Sequence, residues 1–381
     1  MLKQSAMSSQ SLNRVAVVAS AQTQLREAWS KVQHVDLISG VVSSLLRGSG
    51  LEIKDVDVVI DCGSDVLDGR SISNCGFLGA MGAHSKEEAR VEEDGLFGAA
   101  YGVNKIASGS ASVALIIAYS KPSESDVSKY YLSLTEPFYQ RALGIDHLTV
   151  AGLLANQYVS THRVEDEALI RIAAASWRKA AENKYVEISS APTFDDIASS
   201  AMLASPLRQL QIARPLDGAV AVLLATEEVA RRINDRPVWV TGVGTSMDSH
   251  FIANRRPGEF EACRAAASMA TRKAGIDEMS IFGLAEVSAS SSASEAMVVE
   301  SLGFAEPGRA IDCYGEGLVM ELNPSGGSIP ADPIMATGLV RLHDAASRLA
   351  GRIGHTVATR ALVHGAGGLG MQNHCVFTLE V

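Results

Sequence analysis

The sequence predicts an α/β protein in which two similar halves flank an inserted region. Three observations lead there. Apolar runs of strand length recur along the chain, at 14–20 (RVAVVAS), 56–61 (VDVVID) and 113–119 (VALIIAY) in its first third. Segments with apolar residues at helical spacing lie between them, and such alternation implies a largely parallel, buried sheet. The stretch 120–205 breaks the alternation, which then resumes to the C-terminus.

Residues 1–12 read as a polar tail. A first helix covers 35–47 and stops at Gly48, a residue suited to the end of a helix. A small-residue helix covers 96–106. The insertion contains one clear amphipathic helix, 165–183, between looser segments. After it come a strand at 219–225, a helix at 227–233, a strand at 238–243, a helix at 259–274 and a strand at 282–287. A helix begins near Ala293, a long one spans 336–350, and strands at 359–363 and 375–381 enclose a glycine-rich turn. The domain reading is therefore 1–12 as tail, 13–120 with 206–235 as one half, 121–205 as insertion, and 236–381 as the other half. The apolar strand 113–119 reads as an edge that a second copy would cover, so a homodimer is expected.

Composition excludes several classes. Hydrophobic residues are 47% and charged residues 20% of the chain, too apolar for disorder. The net charge of −10 lacks the basic footprint of a nucleic-acid binder. No run of 18 apolar residues predicts a membrane span, and the polar N-terminus lacks a signal core. Five scattered cysteines without C-x-x-C spacing suggest reduced thiols in a cytoplasmic protein, and no metal site.

Four stretches carry the functional signal: 90–92 (RVE), 323–327 (NPSGG), 336–338 (ATG) and 364–370 (HGAGGLG). Their order and spacing resemble the thiolase superfamily, nearest its sterol-carrier-type and archaeal-type acyltransferase branches. The resemblance runs from about Asn13 to Val381. It implies a five-layered αβαβα fold of two similar halves, with a loop domain that helps hold coenzyme A. It also implies a dimer, with a coenzyme A thioester as substrate and no permanently bound cofactor.

The family's nucleophilic cysteine lies at the N-terminus of a buried helix, where the dipole favours a thiolate. By the resemblance that position is Gly95, in 91–98 (VEEDGLFG). Its backbone N–H is expected to face the reaction pocket. Cys75, the nearest upstream thiol, is either a relocated nucleophile or a structural residue. The family's second loop falls on 286–295 (EVSASSSASE). Ser288 takes the histidine position and Ser290 that of an acid/base cysteine; the same run also suits a helix cap. The third motif's histidine becomes Asp332, an acid or base if buried and a loop residue before proline if exposed. At the fourth, His364 is either a surviving acid/base group or a satisfied histidine at a strand end. The N–H groups of Gly365, Gly367 and Gly368 are candidates for holding an oxyanion.

Coenzyme A contacts are expected at His250, Arg255, Arg256, Ser325 and Gly326, although adjacent arginines equally often only solubilise a loop. Three functions follow. The first is a cysteine-independent aldolase that cleaves a β-hydroxyacyl-CoA beside a small zinc-ribbon/OB-fold partner, with His364, Tyr314, Asp332 and Asp94 as acid/base candidates. The second is an inactive subunit supporting an active partner. The third is a Claisen-type acyltransferase with a relocated nucleophile.

Overall fold

A computed structural model describes residues 12–315, 318 and 320–381; nearly all of the expected polar tail lies outside them. The N-terminal half contributes strands β1 (Val15–Gln22), β2 (Val58–Cys62), β3 (Glu87–Arg90) and β4 (Val113–Ser120). Its helices are α1 (His34–Ser49), the short α2 (Asp65–Asp68) and α3 (Leu78–Met81), and α4 (Gly95–Ala107). The insertion holds α5 (Val127–Ser133), α6 (His147–His162), α7 (Asp166–Ala181), α8 (Phe194–Ser199) and a small hairpin, β5 (Met202–Ala204) with β6 (Leu207–Arg208). The chain then returns to the first sheet as β7 (Gly218–Thr226), followed by α9 (Glu227–Ile233). The second half runs β8 (Val238–Met247), α10 (Glu261–Ala274), β9 (Leu284–Val287), α11 (Ser292–Ser301), β10 (Glu321–Leu322), α12 (Thr337–Leu349), β11 (Arg360–Gly367) and β12 (Asn373–Glu380).

The strands lie in the order β10-β9-β11-β12-β8-β1-β7-β4-β2-β3. Numbered within its own half, each set of five has the same order, third-second-fourth-fifth-first. The pairings match too: the first three neighbours are parallel and the last two joins antiparallel. The duplication is thus written in topology. The halves join where β1 meets β8 through only three residue pairs, Val15–Val17 against Val238–Val240.

Helices cover both sheets on both faces. Leu37, Ile38, Val41 and Leu45 of α1 recur at helical spacing and pack on the outer face of the first sheet. α10 and α11 cover the outer face of the second. Between the sheets lie α4 and α12, whose apolar residues share one core with the inner faces of both. This gives five layers, α-β-α-β-α. α12 is buried along nearly its whole length, and two of its polar residues pair inside: Arg341 with Glu286 at 3.1 Å, and His343 Nδ1 with Ser20 Oγ at 2.8 Å.

The expected dimer edge is not an edge. β4 is hydrogen-bonded to β2 on one side and β7 on the other, and all eight of its residues are buried. A run apolar on both faces is what a central strand requires. The sheet ends instead at β3 and β10, and the argument for a homodimer loses its strand.

One close approach is diagnostic. A side chain at Gly244 of β8 would overlap the Ala266 carbonyl of α10, and one at Gly242 that of Ala270. Helix backbone lies directly on strand backbone there. Gly244→Ala is expected to destabilise the fold by roughly 1–3 kcal/mol through overpacking, read as a lower urea midpoint at constant slope.

Candidate active site

Where the two halves and the insertion meet there is a cleft of about 420 Å³. Its floor comes from the N-terminal ends of α4 and α12. Asp94 precedes α4, and its carboxylate joins both helices: Oδ1 accepts the Leu96 N–H at 2.9 Å and Oδ2 accepts the Gly338 N–H at 2.7 Å. Two helix N-termini converge on one buried carboxyl, which suits negative charge. Burial works the other way and pushes its pKa up to about 7. A side chain at Gly338 would overlap Asp94, so glycine is required for this contact.

Gly95 is buried at the start of α4 as expected, but it does not face the cleft. A Cβ there would lie 2.7 Å from Leu339 Cβ and 2.8 Å from Ala118 Cβ, and its N–H is already given to the Met335 carbonyl at 2.8 Å. The backbone donor expected for an oxyanion is therefore spent inside the core. Glu93, Asp94, Asp332 and Thr337 reach the cleft wall. Asp332 holds its position through backbone bonds to Arg214 and Leu216, and its carboxylate accepts the Thr337 hydroxyl. Burial raises its pKa to about 6, the Thr337 bond opposing. Glu93 is also raised, again by burial, and accepts a bond from Asn373.

The insertion supplies the opposite wall. Tyr130 and Tyr131 of α5 and His147 of α6 line it, with Tyr131 and His147 stacked at 4.2 Å. The Tyr130 hydroxyl meets only the Met335 sulfur, at 3.5 Å, a weak acceptor. Burial raises the pKa of both tyrosines, so both keep their protons near neutral pH.

The serine run divides by role. Ser291 caps α11, accepting the Ser294 N–H at 3.2 Å. Ser288 and Ser290 line the cleft; Ser290 Oγ bonds Ser294 Oγ, whereas Ser288 Oγ is buried without a partner. In the glycine-rich turn, Gly367 and Gly368 line the cleft, while Gly365 packs behind it against Asp94 and Leu96.

The remaining expected residues lie elsewhere. His364 is fully buried behind the wall, its Nε2 2.9 Å from His374 Nδ1, and burial lowers its pKa to about 3. Tyr314 donates to Glu295 at 2.7 Å beside α7, off the cleft. His250 bonds Gln372 at 3.0 Å. Arg255 is no free phosphate ligand: it is buried, and its guanidinium donates to the carbonyls of Ser249, Leu369 and Gly370 at 2.6–2.8 Å. It braces the glycine-rich turn. Arg256 is exposed and paired with Glu259 and Glu261. Ser325 is buried in the Glu286–Arg341 network, and Gly326 is pressed against Ala180. Cys75 is exposed in a short 3-10 turn away from the cleft, and no cysteine lines the cleft among the described residues. Sequence reasoning missed Glu93, Tyr130, Tyr131 and His147. The signal for Glu93 was its place beside Asp94 in the helix-start motif; the others lie in the insertion, where no motif marks them.

Comparison with known proteins agrees with this architecture. Residues 244–380 match the family model described as "Thiolase C-terminal domain-like". The chain is 24% identical over 375 residues, 93% of its length and 97% of the relative's, to an acetyl-CoA acetyltransferase of Methanothermobacter thermautotrophicus. Its fold is similar to the solved Ltp2-ChsH2(DUF35) aldolase, with a TM-score of 0.82 at 19% identity, covering 98% of this chain and 99% of that one. It is also similar to a monomeric SCP2-thiolase like protein type 1 from Mycobacterium smegmatis, with a TM-score of 0.76 at 19% identity, covering 96% and 77%. No helix of the described residues is long and apolar enough to cross a membrane. With a second half that matches the thiolase C-terminal model and a first half that repeats its strand order, the chain has the thiolase fold.

Proposed function

We propose that this protein breaks or makes a carbon–carbon bond in a β-hydroxyacyl-CoA thioester by a retro-aldol step, without a covalent acyl-enzyme. One observation carries the reading: the cleft presents Asp332, Glu93 and Asp94 with two protonated tyrosines, and no thiol among its lining residues. The aldolase name of one structural neighbour supports it.

Asp332 takes the β-hydroxyl proton. The Cα–Cβ bond then breaks, its electrons pass to the thioester as an enolate, and a carbonyl compound leaves. The Tyr130 hydroxyl, held only by sulfur, is the proton source for the enolate carbon. N–H groups of the turn at Gly367 and Gly368 are the candidates for holding the enolate oxygen. The exposed Phe138, Tyr139 and Leu143 of the insertion offer an apolar surface for a small zinc-ribbon/OB-fold partner.

The test is incubation with β-hydroxyacyl-CoA substrates, followed by mass spectrometry for a shorter acyl-CoA and its carbonyl co-product. Asp332 acts as a base only when ionised. The rate should therefore rise with pH through about 6 and level off above it. Only thiolysis or acyl transfer in this assay would favour the acyltransferase reading, which the name of the archaeal relative supports.

A further inference from the structure

Behind the glycine-rich turn, three side chains from distant parts of the sequence converge: Cys263 of α10, His364 of β11 and His374 of β12. One ligand atom from each lies within 4.8 Å of the other two, and all three residues are 0% exposed. His364 Nε2 and His374 Nδ1 point at each other across 2.9 Å. The outward nitrogens, His364 Nδ1 and His374 Nε2, make no hydrogen bond of good geometry, although the backbone of Ser288 and of Met371 approaches the two rings; the buried Asp248 Oδ2, 3.9 Å from His374 Nε2, has no partner either.

Proton placement makes this arrangement awkward for two neutral histidines. If His374 donates inward, its outer nitrogen is a bare lone pair facing a carboxylate. If His364 donates inward, its own outer nitrogen is a bare lone pair in the core. Each buried polar atom left unpaired costs about 1–3 kcal/mol. A cation between the inward nitrogens removes the conflict. Both rings then turn lone pairs inward and carry protons outward, and His374 directs its N–H at Asp248. Metal-bound histidines commonly donate their second N–H to a carboxylate in this way. A buried thiol beside them becomes a thiolate ligand.

We infer that Cys263, His364 and His374 form a zinc site, with Asp248 orienting His374. One sulfur and two imidazoles are borderline-soft donors that suit Zn²⁺ rather than Mg²⁺ or Ca²⁺. Zinc–nitrogen bonds of about 2.0–2.1 Å at tetrahedral angles set the two nitrogens about 3.4 Å apart, so the histidine pair opens by about 0.5 Å. Three protein ligands leave a fourth position for a small donor such as water. The ion ties α10, β11 and β12 together directly behind the turn that Arg255 braces. Sequence spacing predicts no metal because more than 100 residues separate the thiol from the histidines.

The test uses the full-length protein, stripped with a chelator and titrated with Zn²⁺ or with Co²⁺ as a spectroscopic substitute. The expected result is one tightly held Zn²⁺ per chain and a near-ultraviolet thiolate-to-cobalt band. That band should persist in Cys75→Ser, which alters an exposed thiol elsewhere, and vanish in Cys263→Ala. Should Cys263→Ala fail to fold, X-ray absorption of the zinc-loaded wild type decides. One sulfur at about 2.3 Å with imidazole nitrogens is expected. Folded wild type that retains no zinc, a cobalt band unaffected by Cys263→Ala, or a sulfur-free zinc shell would each overturn the site.

Discussion

Asp332→Asn is expected to lower kcat for carbon–carbon cleavage by about 10²–10⁴-fold, the range for losing a general base. The change is nearly isosteric and keeps the Thr337 hydroxyl and the backbone bonds to Arg214 and Leu216 within reach. The unfolding midpoint should therefore scarcely move. The rising limb of the pH profile near 6 should disappear with the carboxyl. Thr337→Val gives the companion result. It removes a bond that favours the ionised form, so the Asp332 pKa rises and the limb moves to higher pH. Wild-type rates in Asp332→Asn would remove Asp332 from the chemistry.

Asp94→Ala should produce the largest loss of stability. It leaves the Leu96 and Gly338 N–H groups buried and unpaired at two helix N-termini. Each orphaned donor costs about 1–3 kcal/mol, so about 2–6 kcal/mol is expected in total. Asp94→Asn should lose less, because its oxygen keeps one cap while its amide confronts the other donor. Urea unfolding of the two variants beside the wild type measures both. A loss below about 1 kcal/mol for Asp94→Ala would mean that the two helix ends do not depend on this carboxyl.

Much of the fold is legible in the sequence because long elements carry their own signal. The helix 227–233 is found at its expected bounds, and α12 and β7 within a residue or two. The departures have physical causes. α6 carries no clear sequence signal because apolar residues surround it: Val150 and Leu154 are buried while Leu153 is exposed, and no stripe stands out. β3, Glu-Glu-Ala-Arg at a sheet edge, has no apolar alternation at all. The two-faced apolar run of β4, which suggests an edge awaiting a second copy, is what fixes it at the centre of its sheet.

The site divides along the same line. Asp332 and Ser288 could be found because motifs flank them. Tyr130 and Tyr131 lie in the insertion, where only the folded chain sets them opposite Asp332. Arg255 and Arg256 are adjacent in sequence yet opposite in environment, one wholly engaged by backbone carbonyls and the other a surface ion pair. Adjacency gives no burial, and burial decides whether an arginine is free to meet a phosphate.

Under the proposed retro-aldol step, the cleft works without a thiol. Intact-mass spectrometry after incubation with acyl-CoA, with and without a quench during turnover, tests it most directly. An unmodified chain is expected while a β-hydroxyacyl-CoA is being cleaved in the same sample. A stable acyl adduct mapped to Cys75, or to any other cysteine, would contradict it.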